Sequence, residues 1–152
     1  MEVVIQEEPT GCGFANVAML AKRRYAEVKA LANSIGIFAA DPRLYSDTTY
    51  VRRLLAEYGI RVSEQETPFT SWESLPERAL LSIKYPVEDG QPFWHWVVFV
   101  RESGTPVVLD PAKYLSNNRR TDYKKMQPRW FIEVFGLPSK AGTERKKRPP
   151  VL

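Results

Sequence analysis

Gly11-Cys12-Gly13-Phe14-Ala15-Asn16-Val17-Ala18-Met19-Leu20-Ala21-Lys22 is the stretch on which the reading of this chain turns. Its apolar residues leave no polar face, so it reads as a buried helix with Cys12 in the first turn and a basic residue at the end. Before it, Glu2 to Gln6 reads as a short strand, broken by Glu7-Glu8-Pro9-Thr10. After it, Val28, Leu31, Ala32 and Ile35 recur at helical spacing and predict a second helix ending near Gly36. A third helix is expected from about Thr48 to Tyr58. Asp47 is its cap, Val51, Leu54, Leu55 and Tyr58 its apolar stripe, and Gly59 its stop.

Beyond Gly59 the pattern changes to strands. Ile60 to Ser63 is short, and Ala79 to Tyr85 is longer and stopped by Pro86. Trp94 to Arg101 is nearly continuously apolar, as a strand covered on both faces requires. Ser103-Gly104 marks a turn, Pro106 to Leu109 returns as the hairpin partner, and Trp130 to Phe135 is the last strand. Val87 to Pro92 and Ala112 to Gln127 read as loops. Three helices followed by an antiparallel sheet define an α+β domain over residues 1–137. Residues 138–152, rich in Pro, Lys and Arg, read as a disordered basic tail.

The 152 residues suit one domain with a hydrophobic core, and 43% apolar with 26% charged residues is the balance of a soluble globular protein. No apolar run approaches the roughly 20 residues that span a bilayer, and the N-terminus lacks the pattern of a signal peptide. A cytoplasmic protein without a membrane partner is expected. Cys12 is the single cysteine, which excludes an internal disulfide and suits a reducing compartment. His95 is the single histidine, so zinc sites of several Cys and His ligands are excluded, and neither metal nor cofactor is expected. Much of the net charge of +4 sits in the tail, where Lys140, Arg145, Lys146, Lys147 and Arg148 are offset only by Glu144. A solvated end accounts for it, and without a basic stripe in the body nucleic acid is not an expected partner.

A lone cysteine is more often a small buried hydrophobe than a nucleophile. Here Gly11 and Gly13 permit a tight entry into the helix and leave the sulfur open to a carbonyl carbon. The positive end of the helix dipole favours the thiolate, the form that attacks. A histidine at the start of an apolar strand is by itself usually a satisfied core residue. Folding Trp94–Arg101 back through Ser103-Gly104, however, brings Asp110 directly opposite His95 or one diagonal step away, about 5–8 Å between strands. A carboxylate there orients one ring nitrogen and turns the other toward sulfur. The bland alternative for Asp110-Pro111 is a turn opener. Gln6, six residues before Cys12, is either an ordinary polar strand end or the side-chain donor of an oxyanion hole, with the Cys12 backbone N–H as its second donor.

The stretch from Gln6 through Cys12-Gly13-Phe14-Ala15-Asn16-Val17-Ala18-Met19-Leu20 resembles the start of the papain-like peptidases that cut leader peptides after double glycine in bacteriocin export. His95-Trp96-Val97-Val98-Phe99-Val100 and Val108-Leu109-Asp110-Pro111 resemble the same family's His and Asp motifs. The resemblance implies a papain-like cysteine peptidase fold, N-terminal helices packed on a C-terminal antiparallel sheet. It also implies amide hydrolysis with Cys12 as nucleophile, His95 as base, Asp110 as orienter and Gln6 as oxyanion donor. Gly11 stands where exporter peptidases usually carry Asp, and the membrane and ATP-binding domains to which those peptidases are fused are not expected here. The chain is more similar to the stand-alone bacterial relatives of that group.

Two other outcomes use the same residues or the same fold. One is acyl transfer to an amine, transglutaminase-type chemistry, since one thioester serves both reactions. The other is a peptide-binding module without chemistry, which the presence of both Cys12 and His95 disfavours. The expected partner is a peptide or protein substrate, bound extended with small residues beside the scissile bond, in a groove narrowed by Phe14 and Trp94. On a strand, Trp94 and Trp96 face away from the side that carries His95 and are expected to pack against another layer.

Overall fold

Helix α1 (Cys12–Ala21) is buried along its whole length, as its unbroken apolar sequence requires. A computed structural model of the chain describes residues 1–45, 47–84 and 94–136. The expected Val87–Pro92 loop, the stop at Pro86, the Trp94 side chain and the basic tail from residue 138 lie outside the described residues. Lys22 ends α1 in the left-handed conformation (φ 60°), and the chain reverses into α2 (Tyr25–Ser34). Helix α3 (Thr49–Glu57) has Thr48 at its N-cap, and Asp47, expected as the cap, stands one residue earlier and accepts the Thr49 N–H at 2.7 Å.

The strands are β1 (Thr67–Pro68), β2 (Arg78–Lys84), β3 (Trp94–Glu102), β4 (Thr105–Leu109), β5 (Arg119–Arg120) and β6 (Pro128–Glu133). They form one six-stranded sheet in the order β1-β6-β2-β3-β4-β5, with every described pairing antiparallel. The α+β class is therefore as expected. Strand β3 is central and covered on both faces. Trp96, Val98 and Val100 join the helices in one core with Leu80, Leu109 and Ile132. Val97 and Phe99 point the other way, into a second core with Ala79, Leu81, Ile83 and Val108. Trp72 closes that face, 6.2 Å from the Phe99 ring and 4.8 Å from Tyr123. Each such buried aliphatic or aromatic side chain contributes roughly 1.5–3 kcal/mol.

Two expected strands are not formed. Among the described residues Glu2–Gln6 makes one backbone–backbone bond, Gln6 N–H to the Pro111 carbonyl (2.9 Å). Pro111 has no N–H to return, so no ladder propagates. Ile60–Ser63 is reduced to an isolated bridge between Val62 and Val134. There the Ser63 hydroxyl accepts the Glu133 N–H (3.1 Å), a donor the ladder would otherwise use. Conversely, the expected loop Ala112–Gln127 contains β5 and a short 3-10 turn, Tyr123–Lys125. Among the described residues no helix is long and apolar enough to cross a membrane.

Candidate active site

The two glycines beside Cys12 are explained by two tyrosines. A methyl group on Gly11 would collide with the Tyr25 hydroxyl, and one on Gly13 with the Tyr50 hydroxyl, its Cζ lying 2.7 Å away. Phe14 fills the space between both rings, with centroids at 6.3 Å from Tyr25 and 6.2 Å from Tyr50. Phe14 is wholly buried there and does not line a groove, contrary to expectation. The Tyr25 hydroxyl hydrogen-bonds the Glu8 carboxylate, which also pairs with Lys29. Burial pushes Glu8 up, but the bonds from Lys29 and Tyr25 outweigh it and hold the carboxyl below its usual range. Burial first, and then the Glu8 contact, push the Tyr25 phenol up.

Cys12 belongs to the helix-side core, whereas strand alternation puts His95 on the face of Val97 and Phe99. Their meeting follows from where the sulfur sits. The Trp96 N–H donates to Cys12 Sγ at 3.4 Å. Backbone N–H groups of a strand lie in the plane of the sheet, so this acceptor stands at the strand's edge and not over a face. Leu109 is the last residue of β4, paired with Val98. The start of α1 thus occupies the edge of β3 that β4 has vacated, which seats the sulfur on the backbone N–H of the residue next to His95, where it helps to raise the imidazole.

Asp110, one residue past β4, shares the face of Val108 and completes the line. His95 Nε2 lies 2.7 Å from Asp110 Oδ1, which leaves Nδ1 for the sulfur. Continuing the β3–β4 register from Val98 and Leu109 sets Asp110 beside Val97, one diagonal step from His95. His95 and Asp110 are buried. Burial alone would push the imidazole down, but its bonds to Asp110 and Cys12 outweigh that and raise it to about 9.

Three contacts around Asp110 are not legible in the sequence. Its Oδ1 also accepts the Ala112 N–H (3.1 Å), and its Oδ2 faces Arg120 Nη1 at 3.3 Å. Asn118 Nδ2 donates to the carbonyls of Asp110 (2.6 Å) and Ala112 (2.8 Å), clamping the turn that carries the carboxylate. Arg120 is presented by β5, whose register opposite Val108 places it on the His95 face. Only the pairing of β5 reveals this role.

Gln6 is buried in the segment leading to Cys12, and its Nε2 donates to the carbonyls of Glu8 (2.9 Å) and Pro9 (3.1 Å). Both amide hydrogens are engaged there, so serving an oxyanion requires giving up one of these bonds. Its Oε1, the Asn16 amide on α1, the Tyr50 hydroxyl and the Ser82 hydroxyl beside Trp96 are buried without a hydrogen-bond partner among the described residues. Trp96 packs on the helix side as expected and meets Trp130 edge-on at 6.3 Å. Trp130, Pro68, Thr48, Glu66 and Arg129 line a cavity of about 430 Å³ next to that pair.

Among the described residues no group of three His, Cys, Asp or Glu side chains is arranged to hold a metal ion. No family model matches the chain, and no curated protein matches it.

Proposed function

We propose that this chain is a cysteine-nucleophile hydrolase of papain-like fold that cleaves a peptide bond through a thioester. The observation that carries the reading is the His95–Asp110 pair at 2.7 Å, with the Cys12 sulfur seated 3.4 Å from the backbone nitrogen of Trp96, the residue after His95. The resemblance of the Gln6–Leu20, His95–Val100 and Val108–Pro111 stretches to double-glycine leader peptidases supports it. Thiolate sulfur attacks the carbonyl carbon, and the C=O electrons move to oxygen. The Cys12 backbone N–H, a first-turn donor of α1, receives that charge, joined by the Gln6 amide only after it gives up its bond to the Glu8 or Pro9 carbonyl. Collapse expels the amine, which takes the proton of the His95 imidazolium, and leaves an acyl thioester. Water then attacks the thioester, gives a proton to His95, and the C–S bond breaks to release acid and restore sulfur. Asp110 holds the ring in the required tautomer and stabilises the imidazolium.

The cavity of Thr48, Glu66, Pro68, Arg129 and Trp130 lies on the β1–β6 side of the sheet, and Cys12, His95 and Asp110 are not among its lining residues. Small residues next to the scissile bond are proposed from the resemblance, since the Phe14 ring does not line that space.

A peptide library with wild-type protein and Cys12→Ala, together with trapping by a thiol-directed peptide warhead, tests the reading. Cleavage and labelling that require Cys12 are expected. No cleavage of any peptide and no His95-dependent labelling would overturn it. Transfer to an added amine in place of hydrolysis would reassign the reaction to acyl transfer, and a preference for large aromatic residues directly before the cut would refute the small-residue site.

A further inference from the structure

Arg119 and Arg120 are neighbours on β5, but their side chains make different contacts. Arg119 ties down the chain terminus, pairing with Glu102 and donating to the Met1 carbonyl at 2.9 Å. Arg120 stands opposite Val108, on the His95 face, and bridges two carboxylates. Its Nε and Nη2 grip Asp122 with two bonds of 3.0 Å each, and its Nη1 reaches Asp110 Oδ2 at a looser 3.3 Å. Asp110 Oδ1 meanwhile stays on His95 Nε2 at 2.7 Å. A guanidinium presents a rigid fork that matches a carboxylate with two parallel bonds. Asp122 occupies that fork, so Asp110 receives a single N–H. Released from Asp122, the fork is free to turn onto Asp110 and claim both of its oxygens, including the one that His95 uses. The Asp122 side chain is 49% exposed, so its pairing adds little stability of its own.

We propose that Asp122 is a positioning residue for the His95–Asp110 pair: by holding the Arg120 fork it limits Arg120 to one contact with Asp110 and leaves the other oxygen to the imidazole. This role rests on the reading of His95 as the base. Asp110 and Cys12 act on the imidazole, His95 and Arg120 on the Asp110 carboxylate, and Arg120 and Lys125 on Asp122. The bond from Arg120, before any other cause, holds the Asp122 carboxyl below its usual range, so it remains an anion wherever His95 titrates.

His95 is the single histidine, so its ring resonances can be titrated by NMR without overlap and without a substrate. The test is that titration, with melting temperature and turnover on a selected peptide, for wild type, Asp122→Asn, Arg120→Met and the double variant. Asp122→Asn is expected to keep the wild-type melting temperature and to lower the His95 midpoint by about half a pH unit, the scale of an exposed ion pair. Arg120→Met is expected to move the midpoint the other way, because Asp110 loses the cation that competes for it. In the Arg120→Met background, Asp122→Asn is expected to add no further shift. An unmoved midpoint in Asp122→Asn would overturn the proposal and leave Asp122 a surface partner of Arg120. An equal drop with Arg120 absent would overturn it too, since the charge of Asp122 would then act through space. Midpoints that move as expected in a protein whose Cys12 cleaves no peptide would instead overturn the proposed reaction, and with it the catalytic use of this contact.

Discussion

His95 Nε2 and Asp110 Oδ1 are 2.7 Å apart although the two residues are not directly opposed on the sheet. Asp110 lies just past the end of β4, on the diagonal, and its second oxygen is held by Arg120 from β5. The pair is thus fixed from a strand end on one side and an edge strand on the other, and this geometry sets the first two predictions.

Asp110→Asn is expected to keep the fold, because an amide oxygen still accepts the Ala112 N–H. Turnover should fall by on the order of 10³- to 10⁴-fold, as the imidazole loses its tautomer preference and its counter-charge. The alkaline limb of the pH–rate profile, expected near 9 in wild type from the raised His95, should move down toward the ordinary histidine value. Steady-state rates across pH on a selected peptide check both.

Stability carries the same sign. Because the folded protein raises His95 from 6.5 to about 9, its imidazolium stabilises the fold fully below about 6.5, and that contribution disappears as pH rises through about 9. Denaturant midpoints measured from pH 6 to 10 should fall across that window in wild type. In His95→Gln the fall should be absent or much smaller.

Arg120→Met removes a cation from a fully buried carboxylate. A loss of about 1–3 kcal/mol is expected, together with reduced turnover. Calorimetry and kcat on the same sample would show it, and an unchanged kcat would confine Arg120 to the edge of the sheet.

Gly13→Ala puts a methyl group into the Tyr50 ring end, with Cζ only 2.7 Å from it. The cost is expected to be about 1–3 kcal/mol, since the ring is held by Phe14 and has little room to retreat. Combining it with Tyr50→Leu should recover part of that loss, which a double-mutant cycle reads as coupling between the two positions.

The helices and the long strands were legible because their periodicity is a local property. The all-apolar α1, the stripe of α3 and the two-faced β3 each bury what their own sequence dictates. The short elements were not. Arg119–Arg120 is a strand because β4 is beside it, and Glu2–Gln6 meets its neighbour at Pro111, which has no N–H to return.

For the candidate site, the sequence alone named Cys12, His95, Asp110 and Gln6, because one cysteine, one histidine, a hairpin-borne aspartate and a glutamine just before the helix leave few ways to combine. Alternation along β3 would have kept His95 and the helix-borne sulfur on opposite faces. Tertiary structure decided that they meet, by ending β4 at Leu109 and seating the start of α1 at the open edge beside Trp96. It also decided that Arg120 and Asn118 hold Asp110, and that Gln6 spends its amide on Glu8 and Pro9. Those facts depend on which chain segments become neighbours, and a contact between distant segments leaves no period in the sequence of either one.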